Sequence, residues 1–247
     1  MKTNRFSLVA GFLLAVTFTS CSSDDDNSGG NTNSGGESSK TDTKTYTSSG
    51  TYTLQYPGST ITEIEIYALG AGGGGGLRRV CSSGLCEYQG TSGGGAAATY
   101  VKLGNLQLIA GEEVVLNIAI GGGGSGSVYA YPSCNYGCDG GNGGRTAVGI
   151  IGKNISVGAD GGSAGLKTGH GTGALASSLP TQSTFYKDGI SVAGGSGSTD
   201  AGGKAAKIAK GSLSSFGGGN EGNGGRGVGE TGYRGADGLA RVVVKYQ

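Results

Sequence analysis

The chain has 247 residues, a formal net charge of +1, no tryptophan and 57 glycines. Its basic residues form no stripe of the kind that nucleic acids require, so we expect no nucleic-acid partner. Glycine at more than three times its ordinary frequency of about 7% excludes an average globular composition and indicates either disorder or an unusual backbone arrangement.

Residues 1–20 have the features of a secretory signal peptide. Lys2 and Arg5 precede the apolar run "FSLVAGFLLAVTF", which is too short for a membrane-spanning helix of about 20 residues. Cys21 follows directly, and we predict that it carries palmitate-type acyl chains as the lipidated cysteine of a lipoprotein. An ordinary signal peptide with a chance cysteine is the alternative, because Phe18 stands where a lipoprotein signal usually has leucine.

The stretch "CSSDDDNSGG" resembles the acidic export signal of Bacteroidetes surface lipoproteins, with Asp24, Asp25 and Asp26 as the matching residues. The resemblance implies a protein that is lipid-anchored in the bacterial outer membrane and exposed at the cell surface. A solvated acidic linker is the alternative. Residues 21–44 contain no aliphatic or aromatic side chain, which predicts a disordered tether before a folded domain over 45–247.

Seven later segments have the composition of β-strands, with β-branched and aromatic residues between turn residues. In the second of them, Ile61, Glu63 and Glu65 alternate with Ile64 and Ile66, so we expect the two sets to face opposite sides of a sheet. No segment has a convincing helical period, and we predict an all-β fold. The segments are "GTYTLQYP", "STITEIEIYALG", "AAATYVKLG", "EEVVLNIAIG", "AVGIIGKNISVGA", "FYKDGISVAGG" and "LARVVVKYQ".

Many of the glycines between these segments recur at intervals of three residues. In "GETGYRGADGLA" this spacing joins Gly229, Gly232, Gly235 and Gly238, and the tract "GAGGGGG" repeats it. A three-residue period is typical of the polyproline II screw. We therefore predict glycine-rich helices of the polyglycine II type between the strands, packed side by side so that their buried backbone groups satisfy one another.

Four cysteines remain after Cys21. The close spacings in "CSSGLC" and "CNYGC" predict the disulfides Cys81–Cys86 and Cys134–Cys138, as the oxidising compartment of an exported protein favours. Cross-paired disulfides are an open alternative. A zinc site of four thiolates is another, although the C-x4-C and C-x3-C spacings are loose for it and the compartment is unfavourable.

The order of these motifs resembles the glycine-rich domain family. The most specific parts are the strand that runs into "GAGGGGG" and the closing "GADGLARVVVKY", and the resemblance covers about residues 45–247. Members occur in bacteriophage tail-fibre tips, in bacterial surface proteins and in the extracellular region of the anaplastic lymphoma kinase and leukocyte tyrosine kinase receptors. The resemblance implies a jelly-roll-like β-sandwich with glycine helices, a binding or structural role, and no catalytic residues.

The segment "GSVYAYPSCNYGCDGG" contains the best candidate ligand-binding residues. Tyr129, Tyr131 and Tyr136 cluster around a predicted disulfide loop, and rigid aromatic rings on a supported loop are a common binding surface for sugars and proteins. The alternative is that the three rings lie flat on the glycine helices and cover them. Tyr88 and Tyr233, also among glycines, are weaker candidates.

Signs of catalysis or ion binding are weak. His170 is the one histidine, and no G-x-S-x-G sequence lies on a strand-to-helix turn where a nucleophile would stand. Asp139, Asp160 and Asp200 lie among glycines but match no calcium repeat, so we interpret them as turn formers and leave a calcium site open. We expect no enzyme activity, no metal and no cofactor.

Two functions remain. The first is a surface lipoprotein for adhesion or ligand binding, with a glycan or a protein as partner and the membrane as its anchor. The second is a structural surface protein that associates with other proteins and has no small ligand. An exposed aromatic loop favours the first function, and a smooth glycine-rich surface favours the second.

Overall fold

The computed structural model describes residues 38–106, 108–128 and 134–247. Sixteen strands and their connections make up this part of the chain, and the prediction of an all-β fold is confirmed. Within the described ranges there is no helix long and apolar enough to cross a lipid bilayer. Cys21, predicted to be lipidated, and Asp24, Asp25 and Asp26, predicted to form the export signal, lie outside the described residues.

The strands form two main sheets and three small ones. The five-stranded sheet has the order β1–β16–β3–β6–β11, and the four-stranded sheet has the order β10–β9–β7–β2. All neighbours within them are antiparallel. The bounds are β1 Lys40–Tyr46, β2 Gly50–Leu54, β3 Ile61–Leu69, β4 Gly76–Ser82, β5 Leu85–Thr91, β6 Ala98–Gly104, β7 Val114–Ala119, β8 Gly137–Cys138, β9 Thr146–Ile150, β10 Ile155–Ala159, β11 Tyr186–Val192, β12 Lys207–Lys210, β13 Leu213–Gly217, β14 Gly227–Val228, β15 Thr231–Gly232 and β16 Leu239–Tyr246.

The two main sheets share one hydrophobic core. The five-stranded sheet contributes residues such as Ile64, Ile66 and Val242, and the four-stranded sheet contributes residues such as Leu116 and Val148, all of them buried. Each strand places alternate residues on this side because successive side chains point to opposite faces. The arrangement is consistent with a β-sandwich.

One expectation about the second predicted strand was wrong. Ile61 is buried in the same core as Ile64 and not on the face of Glu63 and Glu65. The pairing of β3 with β16 shifts register between Lys245 and Tyr246, which inserts an extra residue at this point of β3. Such a bulge reverses the side-chain alternation beyond it, so Ile61 turns inward.

The folded domain begins earlier than the predicted boundary at residue 45. Strand β1 runs over Lys40–Tyr46 and pairs with β16 along its whole length. Its side chains alternate between exposed and partly buried, and Tyr46 at its end reaches the core. The composition of residues 40–44 predicts a tether, because they contain no apolar side chain. An edge strand with one solvated face, however, needs few apolar side chains.

A second, smaller core lies on the opposite face of the five-stranded sheet. Strands β12 and β13 form a hairpin that covers Tyr67, Tyr100 and Val243 with Ile208 and Phe216. The ring centroids of Tyr67 and Phe216 lie 5.3 Å apart, a distance typical of attractive aromatic pairs. The hairpin therefore seals the outer face of the sheet.

A charged network borders this second core. The carboxylate of Glu65, 1% exposed, accepts hydrogen bonds from the Tyr67 hydroxyl at 2.8 Å and the Ser212 N–H at 2.7 Å. Glu63 accepts from Lys245 Nζ at 2.7 Å and is also paired with Lys102. Burial raises the pKa of Glu63, but the hydrogen bonds from the two lysines outweigh it and the pKa lies below its ordinary value.

The glycine-rich connections between the strands lie side by side as an array, here called the glycine array. In the described part of the chain it contains ten segments. They are 70–76, 92–97, 121–127, 139–144, 160–165, 171–174, 193–197, 202–206, 222–227 and 232–238. Their backbone N–H groups donate to carbonyl oxygens of neighbouring segments at 2.7 to 3.1 Å in most cases, so buried backbone groups are satisfied without a sheet.

The hydrogen bonds of the 70–76 segment repeat every three residues. Its N–H groups donate in turn to three different segments, and its carbonyls accept from three others, 121–127, 160–165 and 222–227. The acceptors of residues 70 to 75, in order, are the carbonyl oxygens of Ala97, Gly144, Ala236, Gly94, Gly141 and Tyr233. The segment therefore has six neighbours. In each of the three neighbours that accept its N–H groups, the two acceptor residues are three positions apart.

The remaining hydrogen bonds define the order of the array. The 92–97 segment also has six neighbours and shares two of them with 70–76, as two adjacent members of a hexagonal packing must. The ten segments therefore stand in rows of three, four and three. The rows are 232–238, 222–227 and 202–206; then 121–127, 70–76, 92–97 and 193–197; then 139–144, 160–165 and 171–174.

Close approach, and not backbone conformation, makes glycine necessary in the array. Gly73 and Gly94 are buried and have no left-handed φ, but a Cβ added to either would overlap a neighbouring carbonyl, that of Ser163 or of Thr172. Gly122, on the outer edge of the array, has open space where its Cβ would be. Inward-facing glycine positions such as Gly73 and Gly94 therefore exclude a side chain, whereas the exposed position of Gly122 accepts one.

Candidate functional site

Strands β4, β5 and β8 form a small sheet that carries both disulfides, and we call residues 76–91 with 134–138 the disulfide lobe. The sulfurs of Cys81 and Cys86 are 2.02 Å apart, and Cys134 is bonded to Cys138. The predicted disulfide pairing is confirmed and the cross-paired alternatives are wrong. All four sulfurs are in disulfide bonds, so none of them is a thiolate that could bind zinc.

The lobe holds one of the three candidate tyrosines. Tyr136 is 78% exposed, and the guanidinium of Arg79 lies 5.9 Å from its ring centroid. The Arg79 guanidinium and the Tyr88 hydroxyl both donate to the carbonyl of Asn135, at 3.3 and 3.1 Å. These bonds fix the loop beside β4 and leave the Tyr136 ring toward solvent. Tyr129 and Tyr131 lie outside the described residues.

A second candidate surface lies on the first row of the array, and we call it the basic groove. It has a volume of about 420 Å³ and runs over the segments 202–206, 222–227 and 232–238. Its floor is glycine backbone, and its side chains stand at the outward positions of the three segments. The charged and aromatic lining residues are Asp200, Lys204, Arg226, Tyr233 and Arg234.

The side chains of the basic groove are arranged in pairs. The Arg226 guanidinium lies 5.0 Å from the ring centroid of Tyr233, which is 45% exposed. Arg234 forms an ion pair with Asp237. Among the described residues, neither Lys204 nor Arg226 has a carboxylate within ion-pair distance. The groove therefore has an excess of positive charge beside an aromatic ring.

A smaller cleft of about 250 Å³ adjoins the groove, and Asp200 lines both. Tyr88 and His170 stand on its walls. The N–H of Ser92 donates to Nδ1 of His170 at 3.1 Å, so this nitrogen is an acceptor. In a Ser-His-Asp triad that nitrogen usually donates to a carboxylate, and the observed bond is the reverse.

Two of the three aspartates considered for calcium have local partners, and the third lies in a turn. Oδ1 of Asp139 accepts from the N–H of Lys167 at 2.6 Å, and Asp160 lies 3.6 Å from the guanidinium of Arg145. Asp200 has a φ of 61°, which is a turn conformation. Over the ranges that the structure describes, no three His, Cys, Asp or Glu side chains are grouped in a way that could hold a metal ion.

Sequence reasoning missed the basic groove, although part of its signal was visible. Asn223 and Arg226 are spaced by three residues in one segment, and both line the groove, where Arg226 is exposed. A period of three predicts such a shared side. It does not predict that Lys204 and Tyr233 come from the two adjoining segments, because the order of the segments cannot be read from the period.

The chain was compared with known proteins. No protein-family model matches it, and no curated protein is significantly similar to it.

Proposed function

We propose that this protein is a non-catalytic lipoprotein of the bacterial outer membrane, displayed at the cell surface, that binds a ligand through the distal part of its domain. The proposed anchor is a lipid on Cys21, followed by the acidic export signal at Asp24, Asp25 and Asp26. We also propose that the fold is a jelly-roll-like sandwich of the glycine-rich domain family.

The positions of the chain entry and of the glycine array within the domain support the proposal. Lys40, where the chain enters, pairs with Tyr246, whereas Leu239 pairs with Leu69, which leads directly into the glycine array. The entry point and the array thus lie at opposite ends of the five-stranded sheet. Nine residues of strand span about 30 Å, so the array and its two candidate surfaces are held well away from the anchored end.

We propose that the ten segments of the array are polyglycine II helices. The support is the three-residue repeat of hydrogen-bond partners and the six neighbours of each inner segment, because a screw of three residues per turn presents its N–H groups in three directions. Such an array is stiff in all directions across its axis. A stiff support holds a binding loop in place, which lowers the entropic cost of binding.

The proposed ligand-binding residues are Tyr129, Tyr131 and Tyr136, of which Tyr136 belongs to the disulfide lobe, and the proposed ligand is a surface glycan or a protein. The exposed Tyr136 ring supports this assignment. The test is a glycan and mucin array probed with the mature chain without its proposed lipidated Cys21, residues 22–247, and with a variant in which the three tyrosines are alanine. Saturable binding that the variant loses supports the proposal. If the parent is folded and binds no glycan, the proposal that the ligand is a glycan is wrong and a protein ligand remains.

The structural alternative has one observation in its favour. Leu85, at the tip of the β4–β5 hairpin, is 76% exposed, and Val80 on the same hairpin is also exposed. Exposed apolar side chains on a protruding tip suit contact with another protein. Self-association of the mature chain that Leu85→Ser abolishes, measured by sedimentation velocity, would favour this alternative over a small ligand.

A further inference from the structure

We infer that the basic groove is a binding site for a carboxylated sugar. This inference deepens the proposed function, on which it rests, because it names the ligand class and a second site outside the disulfide lobe. The groove lies on the first row of the array and is lined by Lys204, Arg226, Tyr233 and Arg234.

The charges of the groove select an anion. Lys204 and Arg226 are exposed and, within the described residues, lack a carboxylate at ion-pair distance, whereas Arg234 is paired with Asp237. A guanidinium binds a carboxylate through two parallel N–H donors, a geometry that suits planar anions. Two unpaired cations in one groove therefore favour a ligand with negative charge.

Asp200 restricts which anion fits. Its side chain lines the groove beside the cations, and it would repel a densely charged polyanion such as a nucleic acid backbone. A sugar acid combines one carboxylate with several hydroxyl groups. The cations of the groove attract the carboxylate of such a sugar. The Asp200 carboxylate accepts hydrogen bonds from the sugar hydroxyl groups, because an ionised carboxylate is an acceptor only.

The aromatic ring and the glycine floor favour a sugar over a small inorganic anion. Tyr233 is 45% exposed and is held beside the Arg226 guanidinium. The face of an aromatic ring is negative and attracts the C–H groups of a pyranose. Gly224 and Gly225 line the floor of the groove, so a flat ring can approach the backbone there. The volume of about 420 Å³ lies within the range of small-ligand sites, about 300–1,000 Å³.

The test uses the mature chain, residues 22–247, and isothermal titration with 3′-sialyllactose, trigalacturonate and the neutral sugar lactose. We expect the parent to bind at least one acidic probe and to bind lactose much more weakly, with affinity that falls as salt is added. Arg226→Gln should weaken binding about tenfold, since a hydrogen bond to a charged group contributes that much. The matched control, Arg145→Gln, removes an arginine from the opposite row and should bind like the parent.

Two further measurements keep the result unambiguous. Thermal unfolding establishes that both variants are folded, and Tyr233→Ala should also lose affinity for the acidic probe. Equal binding of acidic and neutral probes, or an Arg226→Gln variant that binds like the parent, would overturn the inference. If neutral glycans bind through Tyr129, Tyr131 and Tyr136 and the acidic probes show no binding that depends on Arg226, the inference is overturned and the proposed function stands.

Discussion

The N–H of Gly73 donates to the carbonyl oxygen of Gly94 at 2.9 Å and thereby joins the two segments that each have six neighbours. The N–H of Gly94 donates in turn to Ser163 in the next row. Glycines at the centre of the array are therefore linked in every direction, and their missing side chains are a condition of the packing.

We expect Gly73→Ala to destabilise the domain by about 3 kcal/mol or more, because its Cβ would overlap the Ser163 carbonyl and the backbone of a packed array has no room to move. The control is Gly122→Ala, whose Cβ meets open space and which should change stability by less than about 1 kcal/mol. Urea unfolding of both variants checks the prediction. Similar midpoints for the two would contradict the packing argument.

Asn223 should stabilise the array through its side chain. Its Oδ1 accepts from the N–H of Ala205 and its Nδ2 donates to the carbonyl of Gly219, both at 2.7 Å. Asn223→Ala removes both bonds and leaves the N–H of the buried Ala205 without a partner, which costs about 1–3 kcal/mol. Asn220→Ala, three residues earlier and exposed, should be nearly neutral. Thermal melts that rank the two variants in the reverse order would refute the prediction.

Glu63 should contribute to stability in a pH-dependent way. Its pKa lies below the ordinary value of 4.5, so the folded state binds its proton less readily than the unfolded state. The contribution is present above about pH 4.5 and is lost as the pH falls through the lowered pKa. Glu63→Gln should therefore reduce the loss of stability between pH 6 and pH 3, measured by urea unfolding across that range. An unchanged pH profile would exclude this role.

The first strand should be part of the folding unit. A chain that begins at residue 45 lacks most of β1, and with it the bond from the Tyr56 hydroxyl to Asp42 at 2.8 Å. At about 1 kcal/mol for each lost hydrogen bond, we expect this chain to be several kcal/mol less stable than one that begins at residue 38. Guanidinium unfolding of the two purified chains tests the expectation. Equal stabilities would show that residues 40–44 do not contribute to the folding unit.

The Cys81–Cys86 disulfide should act locally. Residues 80–87 are exposed and belong to neither core, and the bridge closes a loop that contributes about 2 kcal/mol at most by chain entropy. Replacing both cysteines by serine should speed amide hydrogen exchange in β4 and β5 and leave exchange in β3 and β16 unchanged. Faster exchange throughout the five-stranded sheet would show that the lobe supports the whole domain.

Most strands of the two main sheets could be predicted from sequence, because they have apolar residues such as Leu116 and Ile118 at alternate positions between turn signals. Strand β1 could not, since "KTDTKTY" has one apolar residue in seven and lies at a sheet edge. Strands β4 and β5 were also missed, because an exposed hairpin buries too little to leave a pattern.

The candidate site was harder to predict than the fold. The period of three indicated which residues of one glycine segment share a side, but it contains no information about which segments adjoin. Arg226 and Tyr233 come together only because their segments are neighbours in the first row. Long-range order of this kind depends on the path of the whole chain.

Strand β1 has a mechanical consequence. It is the first strand after the entry point, and seven residue pairs join it to β16, whose hydrogen bonds lie across the strand direction. A pull between the entry point and a partner held at the glycine array acts along the strands. Such a load shears the seven pairs together instead of opening them one after another, so β1 and β16 share the load over their whole paired length.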